Sequence, residues 1–184
     1  MRIGILGGSF DPIHHGHLIA ANALKENLEL DEVRLVAAHQ QPLKTGRHVA
    51  TADDRASMVE VAVRGAAGLV ADRSEVSRGG PSYTVDTLRY FRTRWPSGEL
   101  VLLLGSDAAE ELPRWREVEA VRSLARVVVF ARGEAAAGSD VVVPRLEISS
   151  SEIRERVRAG LSIRYWVPDS VAAYIARGRL YRDA

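Results

Sequence analysis

Cysteine is missing from all 184 residues, which removes disulfide bonds and thiolate metal sites together. Net charge is almost missing as well, +1 with histidine neutral, so no global field gathers polyanions and any anion must meet a local cluster of donors. That balance argues against nucleic acid and against a charged membrane surface as partners. No window approaches the ~18 uninterrupted apolar residues of a membrane span. The first residues carry no basic flank leading into a long apolar stretch, so a cytoplasmic location is expected. Repeats, low-complexity tracts and linkers are lacking too. With 46% hydrophobic and 27% charged residues, the composition fits one globular domain with a full core, expected over residues 1–184. The expected partners are small molecules.

Against those absences one stretch stands out, running from Gly7-Gly8-Ser9-Phe10 through Asp11-Pro12-Ile13 to His14-His15-Gly16-His17-Leu18. Arg2 to Leu6 before it is an apolar run of strand length, and Ile19 to Leu28 after it has amphipathic helical spacing. The stretch is therefore a strand-to-helix loop. Paired glycines permit close approach of backbone to ligand, and the leading N–H groups of a helix attract anions, so phosphate is the expected occupant. His14 and His17 lie three apart and can both project from the first helical turn toward it. Two other readings compete: a pair of packed or solvent-facing histidines, and zinc. Zinc needs a third ligand, and the candidates His39, His48 or a carboxylate show no metal-ligand spacing. No G-x-G-x-x-G follows the first strand, which disfavours a dehydrogenase-like dinucleotide site.

Further along, Val33 to Ala38 reads as a second strand, and its outgoing loop, His39 to His48, carries Lys44 and Arg47. That loop is either a second anion subsite or an ordinary solvated loop. Thr51 to Asp54 has capping-box character for a helix reaching about Gly65, with Arg55 read as structural. Leu69 to Ala71 and Glu75 to Ser77 are expected to be short strands, with Arg78 to Ser82 a turn. Ser82 or Thr84 is the expected cap of a helix over Val85 to Arg94. Leu100 to Leu104 is a buried strand ending in Gly105-Ser106-Asp107, and Ala108 to Leu112 is a short helix interrupted by Pro113. A helix then runs to Leu124, and strands are expected at Arg126 to Ala131 and Val141 to Val143. Five or six strands alternating with helices predict an α/β fold, a single-domain doubly wound parallel sheet of Rossmann-like type. A helical portion follows from about residue 148. In it, Ser149-x-x-Glu152 is a capping box ahead of Arg154, Pro168 opens a helix over Asp169 to Ala176, and Leu180-Tyr181 docks on the core.

The pattern G-G-S-F-D-P-x-H-x-G-H-L resembles the signature of the nucleotidyltransferases that share an H-x-G-H motif. This version is similar to that of the bacterial nicotinate-nucleotide adenylyltransferases. Ile148 to Arg154 resembles that family's I-S-S-[ST]-x-I-R motif, and Gly80 to Leu88 its G-P-S-Y-T-x-D-T-L segment. Gly105-x-Asp107 with Leu112-x-x-Trp115, Arg132-Gly133, and Tyr165 to Pro168 followed by Tyr174-Ile175 and Leu180-Tyr181 match in family order. One departure is Gln41-Pro42-Leu43-Lys44 where the family has P-P-H-[KR]; the loop histidine is absent, which shifts its expected role to Lys44 and Arg47.

The resemblance implies adenylyl transfer from ATP to nicotinate mononucleotide, releasing pyrophosphate, in NAD biosynthesis. It implies catalytic roles for His14, His17 and Arg154, and ATP contacts from Gly7, Gly8, Ser9, Phe10, His14, His17, Gly105, Asp107, Arg132, Ser149, Ser150 and Arg154. For Asp107, capping the short helix after it is an equal alternative. Lys44, Arg47, Tyr83, Thr84 and Trp115 are implied for the mononucleotide, and Mg2+ is expected to be held mainly by ATP phosphates and water. Other phosphate acceptors, nicotinamide mononucleotide or phosphopantetheine, and a non-catalytic nucleotide sensor remain as alternatives. The oligomeric state is open, a homo-oligomer included.

Overall fold

Alternation of apolar side chains along the central strands sets the architecture. In β1 (Arg2–Gly8) Ile3 and Ile5 face one way and Leu6 the other; in β4 (Glu99–Gly105) Leu100, Leu102 and Leu104 oppose Val101 and Leu103. Strands apolar on both faces require cover on both, which a parallel sheet flanked by helices supplies. The computed structural model, which describes residues 1–42, 48–135 and 137–182, has that form. Six parallel strands run in the order β3-β2-β1-β4-β5-β6, the others being β2 (Glu32–Ala37), β3 (Leu69–Asp72), β5 (Arg126–Arg132) and β6 (Val141–Val143).

One face is covered by α1 (His15–Asn27) and α2 (Ala52–Val63), followed by α7 (Ser150–Arg158) and α8 (Asp169–Gly178), through Leu24, Met58, Ile153 and Val171. The other is covered by α4 (Thr84–Arg94) and α6 (Val118–Leu124), through Val85, Leu88, Phe91 and Val121. Short helices α3 (Ser74–Arg78) and α5 (Ser106–Glu111), with a 3-10 turn at Leu112–Arg114, complete the connections. No helix among the described residues is long and apolar enough to cross a membrane. The chain enters at the sheet centre with β1, winds out to β3, then returns to β4 beside β1. This reversal leaves a crevice beyond the carboxyl ends of β1 and β4, where ligands of such sheets bind.

Several local expectations hold. Thr51 Oγ1 accepts the Asp54 N–H at 3.1 Å and Ser149 Oγ accepts that of Glu152 at 3.2 Å, so both helix starts are capped as their spacing required. Tyr181 is buried against the core. Other expectations fail for identifiable reasons. Helix α1 begins at His15, four residues before the amphipathic run at Ile19, which makes His14 its N-cap in extended conformation. Residues 75–77 are helical rather than extended: Asp72 Oδ1 takes the Ser74 N–H at 2.8 Å, and Gly79, at φ 72°, closes the helix by donating to the carbonyls of Glu75 and Val76. The N-cap of α4 is Tyr83, without a side-chain bond, because the Ser82 hydroxyl accepts the His39 N–H instead and Thr84 is already helical. Asp107 makes no capping bond either, since α5 starts at Ser106 with Gly105 as N-cap.

Gly4 shows how tightly the first face is packed. A Cβ there would lie 2.7 Å from Leu30 Cδ1 and 3.0 Å from both Leu103 Cδ1 and Val33 Cγ2. Gly4→Ala is therefore expected to destabilise by about 1–3 kcal/mol through overpacking. Urea melts of the two proteins check this, and an unchanged midpoint would mean the neighbours yield freely.

Candidate active site

The loop from Ser9 to His14 joins β1 to α1 at the crevice, and its carbonyl oxygens are held from beneath. Arg55, on the first turns of α2 and 1% exposed, donates from Nη1 to the Ser9 carbonyl at 2.7 Å and from Nη2 to the His39 carbonyl at 3.0 Å. Arg154 donates to the Asp11 carbonyl at 2.7 Å, and the Ser150 hydroxyl to the Pro12 carbonyl at 2.9 Å. The buried Asp11 carboxylate receives the N–H groups of Val49 and Ala50 at 2.8 and 3.2 Å and the Tyr181 hydroxyl at 2.8 Å. Burial and the Asp11 charge push the Tyr181 phenol well above its usual value, so it remains a donor. Phe10 sits in the left-handed region at φ 48° and folds its ring back on Gly8, where a Cβ would lie 2.8 Å from Phe10 Cζ. At Gly7, by contrast, a Cβ would meet nothing within 4 Å, so the end of β1 faces open space.

His14 and His17 come together as the spacing required, in a form it did not reveal. Their rings stack, centroids 3.8 Å apart at 28°. His17 Nδ1 accepts the His14 backbone N–H at 3.3 Å, which leaves Nε2 as the proton-bearing nitrogen of the neutral ring. Phe10 stands edge-on to His17 at 5.1 Å. His14 is only 4% exposed, and its Nδ1 has no hydrogen-bond partner among the described residues. Burial, with smaller contributions from the Arg132 and His15 charges, lowers its pKa from 6.5 to about 4, so the ring is neutral near pH 7. The helix terminus contributes less than its position promised, because the His15 N–H is taken by the Trp166 carbonyl at 3.1 Å. Any anion here is met chiefly by side chains and the glycine opening.

Beyond β4 and β5 lies an open cleft of about 580 Å³, lined by Asp107 and Arg132 on one side and Arg145 to Ser149 with Glu152 on the other. Asp107, Arg132 and Ser149 were singled out by sequence. Arg145, paired with Glu147 at 2.7 Å, was not, and no motif marks it. Ser150 and Arg154 reach the loop rather than this cleft. Arg154 also donates from Nη2 to Ser151 Oγ at 3.1 Å.

On the opposite flank, Tyr83 and Trp115 are half-buried against the same apolar cluster, and the Arg116 guanidinium lies 4.8 Å from the centre of the Tyr83 ring. Thr84 opens α4, where the Tyr83 N–H already donates to the Pro81 carbonyl at 3.2 Å and the Asp86 N–H to the Tyr83 carbonyl at 3.1 Å. Ser9 Oγ donates to Gln41 Oε1 at 2.6 Å, tying the first loop to the exit of β2. Leu43, Lys44 and Arg47 fall outside the described residues. Arg55, Asp11 and Tyr181, which set the loop, went unrecognised as site residues; Asp11 at least stood inside the quoted motif.

Comparison with known proteins places this geometry in a family setting. The cytidylyltransferase-like family model matches residues 5–156. A protein of Gemmatimonas aurantiaca named "Probable nicotinate-nucleotide adenylyltransferase" is 44% identical, covering 100% of this chain and 93% of its own. One of the same name from Thermus thermophilus is 45% identical, covering 99% and 100%. Among solved structures, the Plasmodium falciparum nicotinic acid mononucleotide adenylyltransferase complexed with NaAD superposes with a TM-score of 0.76 at 20% identity, over 98% of this chain and 97% of that one. At that identity the likeness is one of fold.

The depressed pKa of His14 makes stability pH-dependent with a definite sign. Above pH 6.5 the ring is neutral in both folded and unfolded chains. As pH falls from 6.5 toward 4 the unfolded chain binds the proton first, so stability is lost across that window, on the order of 3 kcal/mol in total. In His14→Gln that loss is absent, and the stability difference between wild type and variant shifts against wild type as pH drops. Urea melts at pH 7.0, 5.5 and 4.5 measure it; a difference constant with pH would show that His14 titrates normally.

Proposed function

The chain belongs to the cytidylyltransferase-like family, and we infer that its reaction is the transfer of the adenylyl group of ATP to nicotinate mononucleotide, giving nicotinate adenine dinucleotide and pyrophosphate in NAD biosynthesis. The observation that carries this reading is the stacked His14–His17 pair beside the open end of β1, in a chain 44–45% identical over nearly its whole length to proteins bearing that name. The acceptor is a phosphate monoester whose second pKa is about 6, so at neutral pH it is largely dianionic and attacks without a general base. What remains is to align it with the α-phosphorus and to stabilise charge on the departing pyrophosphate, for which fixed donors are the largest available effect.

His17 supplies its Nε2–H to a phosphate oxygen. His14, neutral while the site is empty of anions, takes up a proton as the triphosphate arrives, because a nearby negative charge offsets the burial that lowered its pKa. Its unpartnered Nδ1 is then a second charged donor. The adenosine end of ATP is assigned to the cleft between Asp107, Arg132 and Ser149, and Gly7 to Phe10 and Gly105, at the ends of β1 and β4, are assigned to the rest of the nucleotide. Ser150 and Arg154 brace the loop from behind while remaining close to the phosphates.

The described residues contain no cluster of three or more His, Asp or Glu side chains suited to a metal. Three carboxylates, Asp107, Glu147 and Glu152, line the cleft beside Arg132 and Arg145, and Glu147 is paired with Arg145 at 2.7 Å. That donor set fits Mg2+ carried by ATP phosphates and water, neutralising charge on the leaving group, with Asp107 as the nearby carboxylate. The mononucleotide lies across the crevice, its pyridine ring against Trp115 and its carboxylate toward Tyr83, Thr84 and the start of α4, where N–H donors favour an acid over an amide. Lys44 and Arg47 are assigned to its phosphate. A cytoplasmic setting belongs to the same reading.

Mixing ATP, Mg2+ and nicotinate mononucleotide with the purified protein should release pyrophosphate, and no release would overturn the reading. His17→Ala should lower kcat by about 10²–10³, the usual effect of deleting one transition-state donor, with its circular dichroism unchanged. Full turnover in that variant would remove His17 from the chemistry.

A further inference from the structure

Glu75 is a carboxylate that the mechanism above leaves unused. It lies on α3, outside every motif of the sequence, and is 8% exposed, with burial pushing its pKa up. Thr87 Oγ1, itself 1% exposed, donates to Glu75 Oε1 at 2.6 Å, and Arg78 donates to that hydroxyl oxygen at 3.3 Å. The Ser82 hydroxyl is near enough to Glu75 to favour its ionised form, and it accepts the His39 N–H at 2.9 Å. Around this centre the α3–α4 turn is laced to the exit of β2. The Ser82 N–H donates to the Gln40 carbonyl at 2.7 Å, and His39 Nδ1 lies 2.9 Å from the Gly80 carbonyl oxygen.

The direction of these bonds follows from charge. An ionised carboxylate only accepts, so the Thr87 hydroxyl turns its proton toward Glu75, and the nearby Ser82 hydroxyl, whose oxygen takes the His39 N–H, can orient its proton toward the same charge. A buried carboxylate is a costly way to fill space, and partners of this kind serve to fix one arrangement rather than to add stability. The arrangement fixed here joins α3, the first turn of α4 and the residues that lead into the loop after β2. Gln41, two residues beyond His39, is the acceptor for Ser9 Oγ in the phosphate loop.

We propose that Glu75 is a positioning residue for the mononucleotide side of the site, holding Tyr83 and Thr84 against the His39–Gln41 segment through Ser82 and Thr87. It rests on the reading that Tyr83 and Thr84 receive the mononucleotide. Glu75→Gln keeps one acceptor but presents an NH₂ group, so one hydroxyl can no longer donate inward. Ser82→Ala removes the hydroxyl that stands between the Glu75 charge and the His39 N–H, and it carries the test if the glutamine variant does not fold.

The experiment is steady-state kinetics with ATP and nicotinate mononucleotide varied in turn, alongside thermal melts. Both variants should raise KM for the mononucleotide about ten-fold while KM for ATP changes less than about two-fold and Tm stays close to wild type. Equal rises in both KM values, or a lower Tm with both KM values unchanged, would make Glu75 a structural group and overturn the proposal. Absence of turnover in the wild type would overturn the functional reading and this proposal with it, and it is seen before any variant is compared.

Discussion

A loop can present an open face to a ligand only if its carbonyl oxygens are satisfied on the other side, and the segment after β1 depends on that constraint. The carbonyls of Ser9, Asp11 and Pro12 are bound by Arg55, Arg154 and Ser150, from helices 46 to 143 residues further along the chain. Tyr181 completes the set from 170 residues away by gripping the Asp11 carboxylate. Burying the Arg55 guanidinium is costly, and its Nε has no partner among the described residues. The Asp11 charge offsets part of that cost and favours its ionised form. The sheet can tolerate the expense because both its faces are filled.

The histidine pair illustrates how burial prepares a site for charge it does not yet hold. Stacked aromatic rings under a hydrophobic edge from Phe10 are comfortable while both are neutral, and the low pKa of His14 expresses that preference. An anion placed beside the pair reverses it, since a nearby opposite charge favours the protonated ring. On the proposed reading, proton and polyphosphate binding are linked, and the donor strength of the site rises only when there is something to donate to.

Much of the fold was legible because strands apolar at successive positions have few places to go. Leu100 to Leu104 had to be central and Val141 to Val143 had to close an edge. The helix caps at Thr51 and Ser149 were legible because their bonds are local. Where the reading failed, the deciding residue lay outside the segment being read, just beyond its ends or far along the chain. Glu75 to Ser77 is too short to show a period, and Asp72 and Gly79 at its ends made it helical. Ser82 had the chemistry of a cap, but the His39 N–H, 43 positions away, claimed its oxygen. Likewise nothing near Arg145 marks it, since the cleft it lines is formed only when β4, β5 and the start of α7 converge. The site was legible as motifs. Its wiring was not, because Arg55, Asp11 and Tyr181 meet only in three dimensions.

Arg154 brings these strands of argument together. The motif around it implies by resemblance a phosphate ligand, and in the structure it holds the Asp11 carbonyl and the Ser151 hydroxyl. The two roles are compatible on stereochemical grounds. A guanidinium carries five N–H donors in a fixed plane, and two are engaged in these bonds, so three remain for an incoming oxyanion without any change of rotamer. Lysine, with one rotating ammonium on a flexible stem, could not serve loop and phosphate from one fixed plane. Asp11 in turn anchors Val49 and Ala50, at the far end of the segment carrying Lys44 and Arg47. A single buried aspartate thus joins Arg154, through its carbonyl, to the backbone of Val49 and Ala50, through its carboxylate.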